Sequence, residues 1–163
     1  MSPQASGHAR PDVGDPMPDV AMTGADGTTI RPSDFLGRPL VLFFYPKDDT
    51  PGCTTENKEF SALAGEFESA GVMLLGISKD SSEKHAKFAA KHGLACPLAS
   101  DAEGHGIAEA LGIWAEKRLY GRTYMGMERT TYLVGPDGRI VRVWRKVKVA
   151  GHAGEVLDAV RAS

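Results

Sequence analysis

Only two of the 163 residues are cysteine, Cys53 and Cys96. Two cannot build the disulfide framework that staples small extracellular domains. A chain of this length does not need one, since a single domain of its size buries roughly 70% of the surface its unfolded form exposes. No apolar run approaches the ~18 residues of a membrane-spanning helix. The opening stretch MSPQASGHARPDVGDPMPDV holds no apolar segment able to act as a signal peptide's hydrophobic region. Cytoplasmic residence is therefore the expectation. No sign of charge dominates either: 19 Lys+Arg stand against 21 Asp+Glu, a formal net charge of −2, which speaks against nucleic acid or an anionic membrane as partner. Internal repeats are missing. Gly104-x-Gly106 lacks the strand–turn–helix setting of a phosphate-binding loop. What is there, 42% hydrophobic and 25% charged residues, is ordinary for a globular protein and excludes wholesale disorder, collagen and coiled coil. The open question is what the two thiols do: structure, metal binding or redox chemistry.

Residues 1–16 carry Pro3, Gly7, Pro11, Gly14 and Pro16 with almost no large apolar side chain. They read as a flexible tail, because little there offsets the entropy of ordering; residues 17–163 read as one domain. Asp26-Gly27 between two short extended pieces signals a hairpin. Leu40–Tyr45 is a continuous apolar run stopped by Pro46, the pattern of a central strand buried on both faces. Phe60, Leu63, Ala64 and Phe67 fall at i, i+3, i+4, i+7, predicting an amphipathic helix from about 51–55 to Gly71. Residues 72–77 make a second buried strand, and a helix is predicted from about 81 to 92, with Gly93 as its stop. A short strand follows around 96–99, then a helix from about 102 to 111 closed by Gly112. Segments 129–134 and 140–144 flank Gly135-Pro136-Asp137-Gly138 as a hairpin, and 153–161 form a terminal helix. Strands mixed with crossover helices and a late hairpin give an α/β sandwich with a mixed sheet.

The informative segment is Pro46-Lys47-Asp48-Asp49-Thr50-Pro51-Gly52-Cys53-Thr54-Thr55-Glu56. It leaves the C-terminal end of the central strand, where open α/β sheets place their sites, and enters a helix with Cys53 in the first turn. Unpaired N–H groups and the positive dipole end there favour a thiolate, the nucleophilic form of cysteine. Thr50, three residues earlier, brings a hydroxyl within reach of the sulfur or of a substrate oxygen, and Pro46 and Pro51 restrict the loop. The bland alternative is a packed, inert cysteine. A Pro/Gly-rich loop ending at a helix start weighs against it.

The spacing Pro46-x-x-x-Thr50-x-x-Cys53 resembles the active-site signature of the peroxiredoxins. The string FFYPKDDTPGCTTE is similar to their bacterioferritin comigratory protein branch, also called peroxiredoxin Q. Agreement continues in VMLLGISKD, CPLASD and GRTYMGMERTTYLVGPDGRI, so that the resemblance covers about residues 17–162. It implies a thioredoxin-like α/β sandwich with a mixed central sheet and the peroxiredoxin N-terminal hairpin. It also implies reduction of hydrogen peroxide and organic hydroperoxides by thiolate attack, with no cofactor or metal, as antioxidant defence. Carried over by position, Cys53 becomes the peroxidatic cysteine, Thr50 bonds the peroxide oxygen, Pro46 shields the sulfur, and Arg129 is the active-site arginine. Glu56 matches an acidic position that orients that arginine. Attack on the O–O bond builds charge on the leaving oxygen, which Arg129, the Thr50 hydroxyl and the N–H groups near Gly52 and Cys53 would stabilise, leaving a sulfenic acid on Cys53. On their own residues alone, Arg129 reads equally as a surface arginine at a strand end and Glu56 as a solvated acid of a first helical turn.

Many members of the family resolve the sulfenic acid with a cysteine five residues on, here Lys58, or with one on the helix after the second strand, which here has none. Cys96 is the only candidate. Its neighbours Leu94, Ala95, Pro97 and Leu98 suit a core thiol; resolving Cys53 after local unfolding, or pairing between molecules, are the alternatives. With Cys96 in the core, the reductant is an external thiol: thioredoxin, glutaredoxin or glutathione. A zinc site from His92 and Cys96 lacks a second ligand pair. Arg142, Arg145, Lys146 and Lys148 read as the solvated face of an edge strand. The expected protein is a monomer or weak homodimer. Two rival functions remain: thiol–disulfide exchange, for which Cys53 lacks a Cys-x-x-Cys partner, and a peroxide sensor that passes its oxidation to a partner protein.

Overall fold

The computed structural model describes residues 10–101 and 105–162. Seven strands form one twisted sheet: β1 (Met22–Gly24), β2 (Thr29–Ile30), β3 (Leu40–Phe44), β4 (Met73–Ser78), β5 (Leu98–Ser100), β8 (Thr130–Val134) and β9 (Ile140–Trp144), in the order β2-β1-β5-β4-β3-β8-β9. The central β3, β4 and β5 run parallel, and the outer strands are antiparallel to their neighbours. This is the mixed α/β sandwich expected, with β1 and β2 as the N-terminal hairpin turning at Gly27, whose φ of 86° suits glycine. Helices α1 (Pro51–Ala62), α2 (Ala64–Ser69), α3 (Ser82–His92) and α5 (His152–Ala162) belong to one side and α4 (Ile107–Leu111) to the other. None of the described helices is long and apolar enough to cross a membrane.

Alternation along β3 explains why its sequence is apolar throughout. Val41, Phe43 and Tyr45 enter one core with Phe60, Phe67, Phe88 and Val156, whereas Leu40, Leu42 and Phe44 enter the other with Ile77, Ile107 and Tyr132. Phe43 stacks on Phe60 of α1 with ring centroids 4.2 Å apart. That ring lies over β4 only because residue 76 is glycine: a Cβ there would stand 2.6 Å from Phe43 Cζ. The pair ties α1, and with it Cys53, to the sheet. Truncating either ring to alanine would cost about 3–5 kcal/mol.

Several boundaries differ from the sequence reading. The helix predicted through to Gly71 breaks at Leu63, whose ψ of 2° ends α1 while its N–H is shared by the Glu59 and Phe60 carbonyls; α2 then resumes on the same apolar face. The helix expected from 102 begins at Ile107, because the buried Asp101 carboxylate accepts the N–H groups of Ile107 and Ala108; residues 102–104 lie outside the described residues. β5 starts at Leu98 rather than Cys96, since Pro97 has no N–H to give the ladder, although its carbonyl accepts from Gly76. The ribbon β6 (Trp114–Leu119) and β7 (Arg122–Met127) escaped the reading altogether. Its turn is Tyr120-Gly121, with φ of 51° and 76°, and tyrosine there gives none of the usual Asn-Gly signal. Of the segment read as a tail, residues 1–9 lie outside the described residues. Residues 10–16 are laid along β9 by backbone bonds, with Gly14 N–H on the Ile140 carbonyl and Ile140 N–H on the Asp15 carbonyl, and by an Arg10–Glu128 ion pair. Hydrogen bonding rather than apolar burial orders them, so composition gave no sign of it.

Candidate active site

The antiparallel pairing of β3 with β8 places Phe44 opposite Thr130. The end of β3, which launches the Pro46–Thr50 loop, therefore lies beside Arg129 at the start of β8. Thr50 is the extended residue before α1, with Pro51 in the helix's first turn, where a missing N–H costs nothing. Cys53 follows in that turn, 1% exposed, and Asn57 donates to its carbonyl at 2.9 Å. Arg129 Nη2 lies 3.4 Å from Cys53 Sγ, and Nη1 lies 2.5 Å from Glu56 Oε1. The guanidinium thus bridges sulfur and carboxylate. Gly52 leaves room for it: a Cβ there would stand 3.3 Å from Nη2, a tight contact.

Electrostatically the trio is tight. Burial opposes the charge of Arg129, but Glu56 and the Cys53 sulfur outweigh it and hold the guanidinium above the ordinary arginine value. Burial pushes the Glu56 carboxyl up to about 7 against the pull of Arg129. A cation fixed at a buried sulfur stabilises a thiolate and any anion formed next to it. Thr50 departs from the sequence reading in one respect. Its Oγ1 donates to the Lys47 carbonyl at 2.8 Å, so its single proton is committed and the hydroxyl presents lone pairs rather than a donor. Pro46 is exposed at the strand end.

Cys96 lies at the other end of the sheet. It precedes Leu98, which pairs with Gly76 of β4, and lines a surface cavity with Val72, Met73 and Leu74. Cys53 follows the C-terminal end of the same parallel strands. The separation along the strand direction is on the order of 10 Å, beyond the ~7 Å between Cα atoms that a disulfide tolerates. Burial pushes the Cys96 thiol up to about 12. Lys58 is exposed on α1, and His92 faces Asp49, with Nε2 3.1 Å from Oδ1.

One group of site residues escaped the sequence reading. Asp48, 2% exposed, accepts from Tyr45 Oη at 2.6 Å, and His85 Nδ1 of α3 lies 2.7 Å from its other oxygen. Only the position of Asp48 inside the motif hinted at a role; its pairing across 37 residues with His85 leaves no local trace.

A profile of the AhpC/TSA family matches residues 13–143. Peroxiredoxin Bcp of Xanthomonas campestris pv. campestris is 48% identical over 143 residues, 88% of each chain. Peroxiredoxin Bcp of Bacillus subtilis is 43% identical over 150 residues, 92% of this chain and 95% of that one. Among solved structures, the Xanthomonas campestris bacterioferritin comigratory protein, studied for alkyl peroxide reduction through trapped intermediate and ligand complexes, superposes with a TM-score of 0.86 at 44% identity, covering 93% of this chain and 98% of that one. Peroxiredoxin Q of Xylella fastidiosa gives a TM-score of 0.88 at 40% identity, over 94% and 98% of the two chains. The loop, the helix start and the arginine therefore sit in a chain that belongs to the AhpC/TSA family, in its peroxiredoxin Bcp, or peroxiredoxin Q, branch.

Proposed function

We propose that this chain is a thiol-dependent peroxidase that reduces hydrogen peroxide and organic hydroperoxides through Cys53. The observation that carries the reading is the Arg129 guanidinium, 3.4 Å from Sγ and anchored on buried Glu56. The Cys53 thiolate attacks the near oxygen of the peroxide; the S–O bond forms as the O–O bond breaks, and the leaving alkoxide or hydroxide takes up a proton. Arg129 favours the thiolate and stabilises the charge on the leaving oxygen. Thr50 Oγ1 accepts the hydrogen bond of the peroxide O–H, and Glu56 keeps the guanidinium aimed. Pro46 and Pro51 limit the loop's excursions. The sensor reading is not favoured, since the relatives of this chain are peroxiredoxins throughout.

The Cys53 sulfenic acid is then reduced by an external thiol such as thioredoxin, glutaredoxin or glutathione. That thiol attacks sulfur and releases water, and a second thiol resolves the mixed disulfide. The position and protonation of Cys96 support this one-cysteine route. Intact mass after one equivalent of hydrogen peroxide, without reductant, tests it. The expected change is a gain of about 16 Da, a sulfenic acid. A loss of about 2 Da would make Cys96 the resolving partner, and an unchanged mass would remove the peroxidase reading.

A further inference from the structure

Asp48 is an acid on a surface loop that has been turned into the core. Its neighbour Asp49 stays exposed and pairs with Lys91 and His92 of α3, so the loop does not force acids inward. Burying a carboxylate costs several kcal/mol unless its oxygens are well paired; here one oxygen is hydrogen-bonded, while the other, Oδ2, lies beside His85 Nδ1 without a hydrogen bond. Oδ1 accepts from Tyr45 Oη at 2.6 Å. His85 Nδ1 is hydrogen-bonded with Tyr45 Oη at 3.4 Å and lies 2.7 Å from Oδ2, a close contact that is not a hydrogen bond. His85 Nε2 is buried with no hydrogen-bond partner among the described residues.

The peptide unit between Lys47 and Asp48 is what this arrangement fixes. Its N–H donates to Asp80 Oδ2 at 2.7 Å, a carboxylate that also accepts from the Ser78 hydroxyl at 2.6 Å. Its carbonyl accepts from Thr50 Oγ1 at 2.8 Å. A peptide is planar, so holding the Asp48 Cα through the buried carboxylate and the N–H through Asp80 sets the direction of the Lys47 carbonyl. That carbonyl takes the only proton of the Thr50 hydroxyl and so decides where its lone pairs point.

We propose that Tyr45, Asp48 and His85 are positioning residues for peroxide recognition. Their buried cluster locks the Lys47–Asp48 peptide, which turns Thr50 Oγ1 into an acceptor aimed at the peroxide O–H. This rests on the reading of Cys53 as peroxidatic and adds that the preference for peroxide over other electrophiles is set behind the loop, by residues that never touch substrate. Iodoacetamide offers no O–H to Thr50, so its reaction with Cys53 does not use the lock.

The test compares two rates at Cys53 in the full chain, oxidation by hydrogen peroxide and alkylation by iodoacetamide. Tyr45→Phe removes one hydroxyl and keeps the ring packed on Phe43; His85→Leu removes the ring nitrogen that contacts Oδ2 and Tyr45 Oη; His85→Asn returns an amide N–H near the place of Nδ1. Oxidation should slow about 10- to 100-fold in the first two, the scale of an ångström-sized misplacement, with alkylation within about 2-fold of the unsubstituted protein. His85→Asn should recover most of the oxidation rate. Unchanged oxidation in Tyr45→Phe overturns the positioning role, as does a common rise or fall of both rates, which marks a disturbed fold. Failure of the unsubstituted protein to be oxidised overturns the underlying peroxidase reading as well, so the two failures are told apart.

Discussion

The two ends of the central sheet each hold a buried cysteine, and they differ in almost everything else. Cys53 is 1% exposed and Cys96 is 4% exposed, so burial does not separate them. At the C-terminal end of β3, the sulfur lies in the first turn of α1 with a guanidinium 3.4 Å away. At the N-terminal end of β4, Cys96 is buried in one core with Val72 and Leu74, and burial acts unopposed to push the thiol up to about 12. What a buried thiol can do is decided by the charge it faces. Burial disfavours a thiol's anion, and a fixed cation beside the sulfur favours it. A thiol kept protonated at the far end of the sheet is poorly placed to attack Cys53, which accords with the external-thiol route proposed above.

The largest effect that breaks the symmetry is removal of each sulfur in turn. Cys53→Ser should abolish peroxide turnover measured with dithiothreitol as reductant. Cys96→Ala should retain it within about 2-fold, while lowering the melting temperature by several degrees, as expected for a loss of about 1–2 kcal/mol in a chain of this size. Turnover that survives Cys53→Ser, or is lost in Cys96→Ala, would invert the assignment of the two thiols.

Next in size is the cation itself. Arg129→Met leaves Cys53 buried and removes what distinguishes it from Cys96. Its oxidation by hydrogen peroxide, followed by stopped flow, should slow by about 10²–10³, the scale of losing one donor to a developing anion. Glu56→Gln should cost less, about 10-fold, because the amide oxygen can still accept from Arg129 but supplies no charge to hold it. An Arg129 variant that is oxidised at the original rate would show that the helix terminus alone activates the sulfur.

How far this contrast was legible in the sequence depends on the range of the interactions. The strand, loop and helix around Cys53 could be read because each rests on local chemistry: an apolar run, two prolines, a helix start. Arg129 and Glu56 emerged only through family resemblance, since 76 residues separate the arginine from the cysteine it serves. The core placement of Cys96 followed from its apolar neighbours. Its distance from Cys53 did not, because that depends on strands running parallel. The Tyr45–Asp48–His85 cluster and the docking of residues 10–16 were illegible because each is held by polar contacts between distant segments, which hydrophobic periodicity does not record. The β6–β7 ribbon, a local hairpin, was missed because its Tyr120-Gly121 turn lacks the usual Asn-Gly signal.

The smallest expected effect carries the same rule from thiols to the ionisable groups flanking Arg129. His152 is 4% exposed, lies 2.8 Å through Nε2 from Thr131 Oγ1, and is pulled down to about 4, first by burial and then by the charge of Arg129, against Glu155. Between about pH 6.5 and 4 the unfolded chain therefore binds a proton here that the native chain does not. The stability this group contributes is complete above 6.5 and declines as pH falls through that window. Glu56, raised to about 7, works in the opposite sense. The native chain holds its proton between about 4.5 and 7 while the unfolded chain has lost it, so its contribution declines as pH rises through that range. From pH 6.5 to 4.5 the two slopes oppose, each bounded by about 1.4 kcal/mol per pH unit. His152→Gln removes one of them and keeps an oxygen for the Thr131 hydroxyl. Its urea midpoint should rise on acidification from pH 6.5 to 5 relative to that of the unsubstituted protein. Identical pH profiles would mean that His152 titrates in the native state as it does in water, and that neither its burial nor the charge of Arg129 governs this group.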